Sequence, residues 1–147
     1  MNMMDKEYWE LLVRGVRLIR ENPNHPLLSS PGFIGLREGV NLTDEHGNTP
    51  LTMASSAGPV EAVGALLSIG AHVNARNHDG ITALMFAAHN QRVEIVDLLL
   101  AYHADVNVIS NEGRDAKDYV TLSVPFTKVF AAVKIKRMID AARFHGT

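Results

Sequence analysis

Gly47-Asn48-Thr49-Pro50-Leu51-Thr52-Met53-Ala54 is answered 33 residues later by Gly80-Ile81-Thr82-Ala83-Leu84-Met85-Phe86-Ala87. The correspondence continues beyond these octets. Leu66-Leu67 matches Leu99-Leu100, and Gly70-Ala71-His72-Val73-Asn74-Ala75 matches His103-Ala104-Asp105-Val106-Asn107-Val108. A fainter copy begins at Gly113, a further 33 residues on. Self-similarity at such a period marks stacked supersecondary units, none of which can bury its apolar face alone.

Within each copy the residues predict a turn followed by two helices. Thr49 and Thr82 can cap the first helix through their hydroxyls, and Pro50 suits the first helical position. Leu51, Ala54, Leu84 and Ala87 offer small and large apolar groups to an inner face. Val60, Val63, Leu66 and Leu67 make the stripe of the second helix, repeated by Val93, Val96, Leu99 and Leu100. Gly58 and Gly70 fall where a left-handed residue would end each helix; Gln91 and His103 replace them in the second copy. A non-glycine residue there costs on the order of 1 kcal/mol.

This period, with its Thr-Pro-Leu core, resembles the ankyrin repeat. The resemblance implies an all-α solenoid of stacked helix-turn-helix units, here with helical N- and C-terminal caps. The usual histidine after Thr-Pro-Leu is replaced by Thr52 and Met85, which removes a tie between neighbouring turns. The expected organisation is one domain over 1–147. It divides into a capping helix within 1–24, a degenerate repeat at 25–42, repeats at 43–75 and 76–108, and a C-terminal capping repeat at 109–147.

Both ends fit that scheme. Residues 5–21 read as a helix, capped by Asp5, with Trp9, Leu12, Val13, Val16 and Ile19 as its stripe. Pro23, Pro26 and Pro31 exclude a long helix before residue 30, after which a short turn runs through Ile34 and Leu36. At the other end Asp115 can cap a polar helix carrying Lys117, Asp118 and Tyr119. Pro125 breaks it, and a long helix follows from about Phe126 to Arg143. Val129, Ala132, Val133, Ile135, Met138, Ile139 and Ala142 form its apolar face, and Lys128, Lys134, Lys136, Arg137 and Arg143 outweigh Asp140.

Composition narrows the function. A hydrophobic content of 46% supplies a core, and a net charge of −2 gives no general attraction to nucleic acid or anionic lipid. The chain has no cysteine, so disulfide and thiolate chemistry are excluded. No stretch approaches the ~20 apolar residues needed to span a bilayer. A soluble, cytoplasmic protein is expected. None of the seven histidines pairs at i, i+4 spacing for one metal. His46 and His78 fall in successive turns and could approach, and Ser55-Ser56 lies near His89, but no nucleophile elbow surrounds those serines. No cofactor, metal or small-molecule substrate is expected, and the protein is read as a non-enzyme.

The resemblance places partner-reading residues at the turn tips and late in each first helix. Carried over, these are Thr43, Glu45, His46, Asn48, Ser56 and Ala57, then Arg76, His78, Asp79, Ile81, His89 and Asn90, then Ile109, Asn111, Glu112, Arg114, Leu122 and Ser123. Ile81 stands out as an apolar residue beside a turn glycine. The mixed charge of this set favours a protein partner over nucleic acid. The leading expectation is therefore a protein-protein interaction module that masks one cognate protein, as an inhibitor, antitoxin or immunity protein does. A scaffold or host-directed effector with a second site on the basic C-terminal helix is the alternative; a histidine-dependent metallo- or hydrolytic enzyme is the third.

Overall fold

The computed structural model describes residues 38–120 and 126–145, together with residues 13, 14, 17, 21, 22 and 35. Five helices and no strand occur among the described residues: α1 (Pro50–Ala57), α2 (Val60–Ser68), α3 (Ala83–His89), α4 (Val93–Ala101) and α5 (Phe126–His145). Within each repeat α1 packs on α2 and α3 on α4. Between repeats α1 lies beside α3 and α2 beside α4, and α5 packs on α4 at the end of the outer row.

Thr49 and Thr82 cap as expected, their hydroxyls accepting from Thr52 N and Met85 N at 3.3 Å. Thr52, in the histidine position, turns its own hydroxyl back to Thr49 O at 2.8 Å. The core runs continuously through both repeats, with Leu51, Val63, Leu66, Leu84, Met85, Ile95, Val96 and Leu99 almost fully buried. Ile135 and Ile139 extend it into α5. Each such side chain contributes about 1.5–3 kcal/mol relative to exposure. Ser55 is also fully buried, and its hydroxyl has no partner where the second repeat has Ala88. It is thus unavailable as a nucleophile.

Gln91 and His103 have φ of 56° and 63°, the left-handed conformation expected of them, and Gly70 has φ 99°. Gly58 departs from expectation: its φ of −80° and ψ of 172° are extended. Pro59 is the reason, since the residue before proline is pushed out of the helical region. Glycine is needed there for space, because a Cβ would meet Ala54 Cα at 2.7 Å.

The end of α1 is then closed by the next repeat. Arg92 Nη1 donates to Ala54 O at 2.9 Å and Ser55 O at 3.4 Å, and Nη2 donates to Gly58 O. A half-buried guanidinium thereby adds a second donor to Ala54 O, which already accepts from Gly58 N at 2.9 Å, and reaches the Ser55 and Gly58 carbonyls at the negative pole of the helix. Burial pushes the Arg92 pKa below the usual arginine value. Asparagines hold the adjacent loops. Asn41 accepts from His72 N at 2.8 Å and donates to Gly70 O at 3.2 Å, and Asn74 accepts from Asp105 N at 2.8 Å.

The C-terminal cap differs in part. Asp115 accepts from Lys117 N and Asp118 N at 2.8 and 3.0 Å, while Asp118 accepts from Asp115 N at 3.1 Å, a reciprocal capping arrangement. Residues 116–119 nevertheless form turns instead of a helix. The β-branched Val120, Thr121 and Val124 and then Pro125 give a helix little to propagate into. Asp115 and Lys117 are also drawn to α5: Arg143 bonds Asp115, and Lys117 Nζ lies 2.7 Å from Asp140 Oδ1. The α5 helix ends two residues later than expected, and Val133, placed on its apolar face, is 40% exposed.

At the N-terminus, positions 13, 14, 17 and 21 are helical and Val13 packs on the core. The rest of the helix expected over 5–21, and most of the degenerate repeat at 25–42, lie outside the described residues. Arg92→Ala removes the guanidinium donor from the Ser55 and Gly58 carbonyls and the second donor from Ala54 O, so we expect a stability loss of about 1–3 kcal/mol in urea denaturation, with Arg92→Lys recovering part of it.

Candidate interaction surface

Three turns of one design form the edge of the stack. Asp44, Asn77 and Ser110 open them, their backbone N–H groups donating to Asn48 O, Ile81 O and Arg114 O at 2.9–3.0 Å. Each opening side chain also accepts inside its turn. Asp44 takes His46 N and Asn48 N at 2.9 and 2.8 Å, Asn77 takes Asp79 N and Ile81 N at 3.1 and 2.8 Å, and Ser110 takes Arg114 N at 3.3 Å. Such side chains mimic a backbone turn and fix the tip without help from the core.

The tips are bonded to one another. His78 N donates to His46 O and Asn111 N to Asp79 O, both at 3.0 Å. Asn77 Nδ2 reaches Asn48 Oδ1 at 3.0 Å, Asn111 Nδ2 reaches His78 O at 2.8 Å, and Arg76 Nη2 reaches Ile109 O at 2.8 Å. Contact this close requires the turn glycines. Gly47 and Gly80 adopt φ of 79° and 76°, and a Cβ on them would lie 2.7 Å from His78 Cδ2 and Arg76 Nη2.

The expected partner-reading residues sort into two groups on this frame. Glu45, His46, His78, Asp79, Glu112 and Arg114 are exposed along the tips, and His89 is exposed at the end of α3. Arg76, Asn90 and Asn111 are also exposed, but their side chains are engaged within the stack, Asn90 through Phe86 O at 3.0 Å. Asn48 and Ile81 are half-buried: Asn48 is held between Asp44 and Asn77, and Ile81 packs on the core. The apolar residue beside the turn glycine thus has a structural partner. The exposed apolar residue of this edge is Ile109, at 48%. Leu122 and Ser123 lie outside the described residues.

The inner helices add two residues not singled out from the sequence. Met53, Ser56 and Ala57 on α1, and Phe86, His89 and Asn90 at the corresponding positions of the next repeat, are the positions not buried in otherwise buried segments. Met53, which like Ile81 also packs on the core, and Phe86 are therefore part-exposed large apolar groups on the face that carries His89. The signal was available: they stand three residues before Ser56 and His89, on the same side of a helix.

Charges on the surface alternate. Glu45 lies 3.6 Å from His46, Glu112 lies 3.3 Å from Arg114, and Arg114 sits 6.0 Å from the centre of the Tyr119 ring. Exposed pairs of this kind contribute little to stability. Among the described residues no three histidines, aspartates or glutamates gather as a metal site. No helix among them is long and apolar enough to cross a membrane.

The family model for ankyrin repeats, in 3 copies, matches residues 18–115 of the 147. No curated protein matches the chain.

Burial acts to raise the Asp44 pKa, but the Asn48 N–H, the Asn48 amide and the His46 N–H outweigh it and hold the carboxyl below its ordinary 3.8. A depressed folded pKa gives stability that is present above the unfolded value and lost as pH falls through the folded one. The stability difference between the natural protein and Asp44→Asn should therefore be largest above about pH 5 and shrink toward about pH 2, measured by denaturation across that range.

Proposed function

The chain belongs to the ankyrin-repeat family, and from that premise we propose that it binds one cognate protein across its tips and inner helices and masks that protein's active or assembling surface. Ankyrin repeats are protein-protein interaction modules, and a protein partner follows from membership. The observation that carries the finer reading is the hydrogen-bonded row of tips. It holds exposed Glu45, His46, His78, Asp79 and Glu112 in fixed register beside half-buried Met53 and Phe86 and exposed Ile109. Polar groups around a few apolar anchors suit the centre and rim of a protein interface. Preorganised tips lose little conformational freedom on docking.

The partner class is further narrowed by charge. Acidic Glu45, Asp79 and Glu112 interrupt the cations along the tips, whereas a phosphate backbone needs a run of cations. The surface is proposed to act by binding alone, without cofactor or catalysis. Masking is preferred because the bonded tips and the part-exposed side chains of α1 and α3 offer one continuous face to a partner. A scaffold with a second surface is the other reading, and exposed Phe130 on α5 favours it.

Asp79 and His89 are exposed and their side chains have no structural bond among the described residues, so Asp79→Arg with His89→Ala should leave folding intact. Affinity purification of the tagged protein from its native cells, followed by mass spectrometry, should then recover one stoichiometric partner. The double variant should bind it at least about 10-fold more weakly. Retention of that partner at unchanged affinity contradicts the assignment of this face.

A further inference from the structure

The α5 helix buries Ala132, Ile135 and Ile139 against the stack, yet its opposite side is not an ordinary polar face. Phe130 is 85% exposed and Phe144 81%, with exposed Val133, Lys134, Arg137 and Ala141 between them. Steps of three and four residues put these on one stripe, and 14 residues of helix separate the rings by ~21 Å. Large aromatics this exposed are costly to solvate.

Charge on this stripe has one sign. Asp140, the helix's single acid, is turned to Lys117 at 2.7 Å, and Arg143 is turned to Asp115. Among the described residues no carboxylate lies within ion-pair distance of Lys134 or Arg137. The stripe is therefore aromatic at both ends and cationic in the middle, on a molecule whose net charge is −2.

We propose that the outer face of α5, formed by Phe130, Val133, Lys134, Arg137 and Phe144, docks an acidic amphipathic helix of a protein partner, at a site separate from the turn tips. Such a helix would carry apolar side chains about four turns apart to meet the rings, with Asp or Glu between them to meet Lys134 and Arg137. A second copy of this chain fits poorly. Antiparallel pairing of two stripes about Arg137 would bring Phe130 to Phe144 but sets Arg137 against Arg137, and parallel pairing opposes both Lys134 and Arg137 to themselves. A lipid surface fits less well than a protein, since two cations supply only about 1 kcal/mol each toward an anionic bilayer.

The test is selection of a displayed library of random 18-residue peptides on the full-length protein, followed by affinity measurement on the enriched peptides. The selected sequences should carry Asp or Glu flanked by apolar residues at helical spacing. Their affinity should fall at least about 10-fold with Phe130→Ala and with Lys134→Glu/Arg137→Glu, and should be unchanged by Asp79→Arg/His89→Ala. The substituted positions are exposed, and circular dichroism melts should confirm that the variants fold. Selected peptides that lack acidic residues, bind the α5 variants equally well, or fail to emerge overturn the proposal. Binding to phosphatidylserine vesicles that Phe130→Ala abolishes assigns the face to lipid and overturns it as well. So does a dimer in sedimentation that the same substitution dissociates. Failure here leaves the reading of the tips standing, because the Asp79/His89 variant reports on that face independently.

Discussion

One backbone hydrogen bond per repeat, from His78 N to His46 O and again from Asn111 N to Asp79 O, sets the register on which this molecule depends. The bond forms only if successive tips approach to main-chain contact. That approach is why the residues facing the next turn are Gly47 and Gly80, where any Cβ would collide with it. Once the tips are locked, α1 and α3 must leave them side by side, which brings Leu51 and Leu84 into one core. The same register aligns the exposed side chains in a row. Stability and recognition therefore draw on a single spacing, as in any stack whose units touch only their neighbours.

The far side of the stack is held by other means. Arg92 reaches back a whole repeat to close the α1 terminus, and Asn41 and Asn74 each hold a loop of the following unit. All these ties are polar; those of Arg92 are partly buried, where its guanidinium meets carbonyls shielded from water, and those of Asn41 and Asn74 are exposed. At the C-terminal end the pattern stops repeating. Lys117–Asp140 and Asp115–Arg143 fasten α5 onto turns that stand where an inner helix would begin. Using its acid and one arginine inward leaves α5 with a cationic and aromatic outer face, so the way the stack is capped also determines what it presents to solvent.

Much of this was legible in the residues because the period is strict. The threonine caps, the two helices of each repeat and the left-handed Gln91 and His103 all follow from aligning one copy on the other. Reasoning failed where a neighbour overrides a local rule. The position of Gly58 predicts a left-handed terminator, but Pro59 disfavours helical geometry in the residue before it and makes Gly58 extended. The polar segment after Asp115 kept its capping residues yet formed turns, since ion pairs to α5 and β-branched residues compete with helix propagation. Arg92 could not be read at all, because its partners are carbonyls of the previous repeat. Of the interaction surface, the exposed tips were legible from the turn glycines, while the packing of Ile81 on the core and the part-exposure of Met53 and Phe86 depend on how the turn and the helices face the core.

The tips form one preorganised row instead of three independent loops. Amide hydrogen exchange at His78 and Asn111 tests it most directly, because both residues are exposed and only the bonds to His46 O and Asp79 O can protect their N–H groups. Exchange that requires unfolding of the stack, with protection comparable to that of core amides in α3, is the predicted result. Exchange of either amide at the rate of an unstructured turn would contradict it.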